Sequence, residues 1–318
     1  IGQGGLPLGA GAGDAVSTST PPDGEVLIER TAGVDLLGTC RPMADGASDP
    51  TWSFAHDHVA RAMTTPDGPV TVHLRLTAEG VRARTHGPGT DWLLPRVPAM
   101  IGEPTPPDFR AELHPIVDRM QRRHSTARLG ASLRLSDVLV PTILGQRVTS
   151  REARRSWWLL VRRWGTPAPG DLLLPPGPSV LARLSDAEWH RIGVERQRAD
   201  AIRRVHAVLG SLEAAADTGS AELQHRLCSV PGIGPWTATS LAANVLGDDD
   251  AVVLGDLHVP NNVCFALAGE PRGTDERMLE LLEPWSGHRA RVVRLLGRSG
   301  LRAPRRGPRY TPLPISSW

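Results

Sequence analysis

Residues Leu227 to Ala238 read L-C-S-V-P-G-I-G-P-W-T-A, with Gly232 and Gly234 set between Pro231 and Pro235. Glycine lacks a Cβ and lets the backbone reverse tightly, so the string predicts a hairpin. After it, Ala238, Leu241, Ala242 and Val245 recur at the spacing of a buried helical stripe, and Gly247 falls where a C-terminal cap is expected. Before it, Ala221 to Leu227 reads as a shorter helix. The unit is helix, hairpin, helix. Amide N–H groups opening the second helix can point at an anion, for which a phosphate is the fitting guest. A plain tight turn between two helices would give the same string. What separates the readings is Asp256, twenty positions after Trp236, alone between the apolar run Ala251–Leu254 and the turn around Pro260.

Punctuation divides the rest of the chain into an α+β arrangement. Residues 1–24, rich in glycine, have too little apolar content to offset ordering entropy and are expected to form a flexible leader. Over 25–112, alternating segments and turn clusters such as Pro66-Asp67-Gly68-Pro69 predict a small antiparallel β-sheet domain, with a helix near Asp91–Ile101. Over 113–297 the pattern is helical: Ile116–His124, Ser136–Gly145, Arg151–Trp164, Ser185–Ile192, Arg196–Glu213, the hairpin unit, Leu257–Leu267, Asp275–Leu282 and Gly287–Leu296. Residues 298–318 form a basic, proline-rich tail, in which Arg298, Arg302, Arg305, Arg306 and Arg309 are either phosphate contacts or a disordered end. Trp157, Trp158, Trp164 and Trp189 are expected to pack between helices, and Asp248, Asp249 and Asp250 to form a solvated turn.

Charge narrows the class of partner. The net charge is only +2, but residues 1–110 carry 8 Arg against 13 acids while 111–318 carry 28 Arg against 21. The helical part is therefore the candidate nucleic-acid face, although many of its arginines, such as Arg203 and Arg204, would serve equally to solvate helices. No apolar run reaches membrane-spanning length and no signal-peptide pattern opens the chain, which points to the cytoplasm. The three cysteines, Cys40, Cys228 and Cys264, are too scattered for a disulfide framework, a metal knuckle or a four-cysteine iron–sulfur loop.

These motifs resemble the helix-hairpin-helix DNA glycosylase superfamily, and within it the DNA-3-methyladenine glycosylase II family. The P-G-I-G-x-W-T-A string, the later Asp256, and Ile143-Leu144-Gly145-Gln146-Arg147-Val148-Thr149, which resembles the family's I-L-G-Q-x-V-S helix, occur in the family's order. The resemblance implies removal of alkylated purines from double-stranded DNA containing damaged bases, after the nucleotide is flipped out. It implies that Asp256 is the catalytic carboxylate, alongside its alternative as a helix N-cap. Trp236 then faces the base, with Ser240 and Leu295 at two further pocket positions that are aromatic in relatives. The residue that fills the gap in the stack is by position Arg147, with Gln146 beside it; relatives often carry an apolar residue there, so Arg147 either plugs the stack by guanidinium stacking or contacts a phosphate, and the hairpin segment Gly232, Ile233, Gly234 and Thr237 grips the DNA phosphate. His258 and His288 are candidate cleft residues. The family's hairpin commonly holds a structural monovalent cation, which by position would lie on the carbonyls of Cys228, Val230 and Ile233; no cofactor is required. A monomer suffices for one lesion.

A charged leaving group makes one carboxylate enough. Cleavage of an N-glycosidic bond passes through an oxocarbenium-like sugar, which a nearby carboxylate stabilises. A purine alkylated at N3 or N7 already carries positive charge and leaves without a second acid. All 36 basic residues are arginine, so no lysine amine is present to form a Schiff base with the sugar, leaving only the chain's N-terminal amine. The expectation is a monofunctional enzyme that leaves an abasic site. The alternatives are a non-catalytic helix-hairpin-helix damage-binding protein, or a glycosylase for deaminated or bulky lesions.

Overall fold

The computed structural model describes residues 21–304 except 30 and 32; most of the expected leader and Arg305, Arg306 and Arg309 of the tail lie outside the described residues. The N-terminal part is a five-stranded antiparallel sheet. Its elements are β1 (Gly24–Glu29), helix α1 (Leu36–Cys40), β2 (Trp52–Phe54), β3 (His58–Thr65), β4 (Gly68–Leu76) and β5 (Gly80–His86), in the order β1-β5-β4-β3-β2. Strand alternation separates its two faces. Val59 and Met63 of β3 lie opposite Leu74 and Val70 of β4 and join Val72, α1, α2 (Thr90–Leu93) and α3 (Val97–Ile101) in one core. Ala60 and Ala62 lie opposite His73 and Thr71 on the other face. The helix expected near Asp91–Ile101 is broken into α2, a 3₁₀ turn at Leu94–Arg96 and α3, because Pro95 and Pro98 each remove a backbone donor. Strand β1 already begins at Gly24, and Asp23 donates to the Thr85 carbonyl, so the ordered fold reaches into the end of the leader.

The helices follow: α4 (Pro115–Arg123), α5 (Leu135–Leu144), α6 (Ser150–Trp164), the short ribbon β6 (Thr166–Pro167) and β7 (Leu173–Leu174), α7 (Pro178–Arg183), α8 (Asp186–Arg191), α9 (Arg196–Ala207), α10 (Leu209–Thr218), α11 (Ser220–Cys228), α12 (Pro235–Leu246), α13 (Val259–Ala268), α14 (Asp275–Leu282) and α15 (Arg289–Arg298). They form two cores. One gathers buried residues between Leu135 and Val245; the other joins Phe109–Met120 to residues between Val252 and Leu296. The helix expected over Arg196–Glu213 is two, α9 and α10, because the chain leaves helical geometry at Val208, at φ −118° and ψ 14°. The expected I-L-G-Q-x-V-S helix is the end of α5 followed by a turn: α5 stops at Leu144, and Arg147 takes a left-handed φ of 55°.

Buried arginines tie the parts together. Arg61 of β3 reaches across to the Ser132 carbonyl at 2.8 Å and to Asp137 of α5 at 3.1 Å, in a site where Arg61 is 2% exposed. Arg298, expected at the basic tail, ends α15 and pairs with Asp35 while donating to the Gly38 carbonyl. Its charge holds the C-terminal helix to the N-terminal domain. Leu295 is 4% exposed within the C-terminal core. Trp157 and Trp189 are buried in the core between Leu135 and Val245 and Trp164 packs at its rim, but Trp158 is 39% exposed, contrary to the expectation that it packs between helices.

Candidate DNA-binding and catalytic site

The hairpin is built from the inside outward. Leu223, Leu227, Val230 and Ile233 pack with Ala238, Leu241 and Ala242 in the central core, so the turn is anchored by its apolar side chains. Ile233 is buried and its N–H donates to the Val230 carbonyl at 3.0 Å, leaving it nothing to offer a ligand but its carbonyl. Gly232 sits at φ 97°, and a Cβ there would meet the Ala201 Cβ of α9 at 2.9 Å. The fold itself demands that glycine. Gly234 has an extended φ of −97°, and a Cβ there would meet nothing. The fold itself leaves open space at that position.

Four amides are available. Among the described residues, the N–H groups of Gly232, Gly234, Trp236 and Thr237 donate to no acceptor, whereas Ala238 closes the first helical bond onto Gly234. Gly232 and Gly234 are exposed. Unpaired N–H groups at a helix start, with the positive end of the helix dipole behind them, favour an anion.

The α5–α6 turn braces the hairpin. Gln146 Nε2 donates to the Gly232 carbonyl at 3.1 Å and to Thr237 Oγ1 at 2.8 Å. Gln146 thus acts on the hairpin directly. Arg147, beside it, is exposed and has no hydrogen-bond or ion-pair partner among the described residues. Gly145 lets the turn approach Trp236: a Cβ there would lie 3.4 Å from the indole ring.

Trp236 links the anion site to the carboxylate. Its Nε1–H donates to Asp256 Oδ2 at 3.0 Å, while Oδ1 accepts the N–H of His258 at 2.7 Å and of Val259 at 2.9 Å. Helix α13 starts two residues later than expected, at Val259 with His258 as its N-cap, and Asp256 instead closes the turn leading into it, held in one orientation by three donors. It is half-buried, and next to it Leu257 stands 76% exposed. Approach to Asp256 is fixed by further ties that periodicity does not reveal. Thr239 Oγ1 accepts from the Leu254 N–H at 3.2 Å, and Asp275 Oδ2 accepts from the Gly255 N–H at 2.7 Å. Gly255 is at φ 74°, with its missing Cβ against Trp236.

Other sequence candidates fall elsewhere. Ser240 is half-buried one turn beyond Trp236 on α12. Leu295 is enclosed in the C-terminal core and lines no open surface. His288 lies 3.2 Å from Asp108 and edge-on to Phe109; His258 is exposed. The acidic run 248–250 is not a solvated turn. Asp249 holds Arg291 through both carboxylate oxygens, at 3.0 and 2.8 Å, Asp250 holds Arg289 and accepts the Gly287 and Arg289 N–H groups, and Asp248 caps the Asp250 N–H. That run clamps α15 to the end of α12. Among the described residues no group of three or more His, Cys, Asp or Glu is arranged to hold a metal ion, and no helix is long and apolar enough to cross a membrane.

No family model matches the sequence. A stretch of 126 residues, 38% of the chain, is 29% identical to the probable bifunctional transcriptional activator/DNA repair enzyme AlkA of Mycobacterium tuberculosis, and covers 25% of that protein. The chain thus matches about a quarter of that relative's length. Among solved structures, the 3-methyladenine DNA glycosylase of Archaeoglobus fulgidus superposes with a TM-score of 0.73 at 18% identity, over 85% of this chain and 96% of that one. The Schizosaccharomyces pombe 3-methyladenine DNA glycosylase Mag1, in complex with abasic DNA, superposes with a TM-score of 0.52 at 20% identity, over 62% and 97%. The chain has the helix-hairpin-helix DNA glycosylase fold.

Proposed function

We propose that this chain is a monofunctional DNA glycosylase of base excision repair, acting on alkylated purines in duplex DNA. One observation carries the reading: the 3.0 Å hydrogen bond from Trp236 to Asp256, which couples four unpaired hairpin amides to a fixed carboxylate. The amides of Gly232, Gly234, Trp236 and Thr237 bind a backbone phosphate, and Arg147 enters the stack as the nucleotide leaves it, at a cost of about a few kcal/mol. In this reading the carbonyls of Cys228, Val230 and Ile233, all in the hairpin segment, are the donors for a monovalent cation. Val230 already accepts one hydrogen bond, while those of Cys228 and Ile233 accept none from the backbone among the described residues.

Chemistry then falls to Asp256. As the C1′–N bond breaks, its electron pair returns to the cationic base, and the carboxylate stabilises the positive sugar. Water adds to C1′ and gives up its proton, for which Asp256 is the nearby base. A chain without lysine has no side-chain amine to carry the reaction on to strand cleavage.

The test is release of methylated bases from damaged duplexes. Asp256→Asn is expected to lower release at least about a hundredfold, by analogy with loss of one preorganised charge-stabilising group, while duplex affinity survives. Borohydride is expected to trap no covalent enzyme–DNA adduct. Unchanged release in Asp256→Asn would overturn the catalytic assignment, a trapped adduct the monofunctional one, and release only of deaminated or bulky bases the substrate class.

A further inference from the structure

Away from the hairpin, a cleft of about 290 Å³ opens between the second face of the sheet and α6, lined by Trp52, His58, His73, Trp158, Arg162 and Asp171 among others. Its floor carries unmet hydrogen-bonding capacity. Thr71 Oγ1 and His73 Nε2 are both buried without a partner, although polar groups out of water normally find one. Its rim carries an aromatic platform: Trp158, 39% exposed, has the Arg162 guanidinium 5.4 Å from its ring centroid. Burial and the neighbouring His58 hold the His73 imidazole down to about 4, so that ring is neutral and offers hydrogen bonds, not charge.

The cleft terminates a charged track. On α6, positions 151, 155, 158 and 162 fall within about 60° of arc at 100° per residue, opposite the buried Ala153, Trp157, Leu160 and Val161. They are Arg151, Arg155, Trp158 and Arg162, all exposed, and none of the three arginines has an ion-pair partner among the described residues. Helix α6 starts just after the Gln146–Arg147 turn, so the stripe runs from the lesion site to the cleft over about 16 Å of helix rise. Solvated helix faces commonly mix signs; this stripe carries one sign and an indole.

We propose that this cleft takes an unstacked base of a single DNA strand whose phosphates follow the Arg151–Arg155–Arg162 stripe. The base stacks at Trp158, as every base presents a π-face, and its polar edge reaches Thr71 and His73. A base inside a duplex has its faces stacked and its Watson–Crick edge paired, so the occupant is the unpaired strand beside a lesion, at a gap, fork or overhang. The inference rests on the DNA-binding reading above, but not on its chemistry.

Anisotropy with lesion duplexes, blunt or carrying a 5′ or 3′ single-stranded extension, tests it. Wild-type protein is expected to bind one extended duplex about tenfold more tightly than the blunt one, a gain typical of one stacked base. Trp158→Ala and Arg162→Glu should each remove that gain and leave blunt-duplex affinity and base release unchanged, which also shows that the variants fold. Equal affinity for blunt and extended duplexes, or a gain that persists in both variants, overturns the assignment. Should wild type release no base yet show the Trp158-dependent gain, the glycosylase reading fails and the cleft stands.

Discussion

Asp256 offers its two oxygens to different masters. Oδ1 serves the backbone of α13, and Oδ2 takes the Trp236 indole N–H. Trp236 is therefore a positioning residue for the carboxylate, whatever its ring does for the base. Trp236→Phe keeps the ring and loses the hydrogen bond; we expect kcat to fall about tenfold, as for a hydrogen bond to a charged group, with duplex affinity retained. Gln146→Ala should instead weaken duplex binding, because the hairpin loses its brace. Asp45 gives a pH signature. Burial, and then the Asp49 carboxylate, raise its carboxyl from an ordinary 3.8 to about 7, and its Oδ2 is buried without a partner. The folded state thus holds this proton more tightly than the unfolded one. Its contribution is full below about pH 3.8 and is lost as pH rises through about 7. In thermal melts, Asp45→Asn should raise Tm at pH 8 and leave it nearly unchanged near pH 4. At this scale the sequence is informative where the backbone requires one residue type, as at Gly232, whose Cβ would strike Ala201. It is silent where a contact joins distant segments, as in the indole–carboxylate bond and the Thr239 and Asp275 ties.

Elements were legible where one period runs uninterrupted. Helices α5, α6 and α12 lie within a residue or two of the apolar stripes that predict them, and Gly247 caps α12 at a left-handed φ of 63°. Apolar spacing continues across Val208, so the break between α9 and α10 left no mark in the pattern. The acidic run 248–250 departs from its expected solvated turn for a related reason: a local window records charge, while the partners Arg289 and Arg291 lie some forty positions on. That clamp has an energetic consequence. Arg291 is 4% exposed, and removing a partner from a buried pair strands a charge, at about 3 kcal/mol or more. Asp249→Ala should shift the denaturant midpoint accordingly. Asp248→Ala, which removes only a cap on the Asp250 N–H, should cost about 1 kcal/mol.

Across the whole molecule, the α+β class and the helical lobe were readable, but the split of the helices into two cores was not, since it depends on α4 leaving its sequence neighbours to pack with α15. Docking of the sheet on the helices hinges on Arg61 and Asp137, 2% exposed and largely buried respectively. Arg61→Met alone should destabilise by about 3–5 kcal/mol, whereas Arg61→Met with Asp137→Leu should recover most of the loss, because desolvation of the pair offsets much of its attraction. The C-terminal core carries a consequence for biogenesis. Phe109, Val117 and Met120 find their partners only among residues up to Leu296, and the Trp285 indole closes onto the Arg110 carbonyl at 2.8 Å. A nascent chain leaving the ribosome can consolidate its sheet and then its middle helices while this early segment waits, still solvated, for the far end of the polypeptide. Helix α13, which Asp256 leads into, belongs to that late core, so a translation arrested short of α15 yields a chain whose hairpin is folded while the carboxylate at 256 has no settled seat.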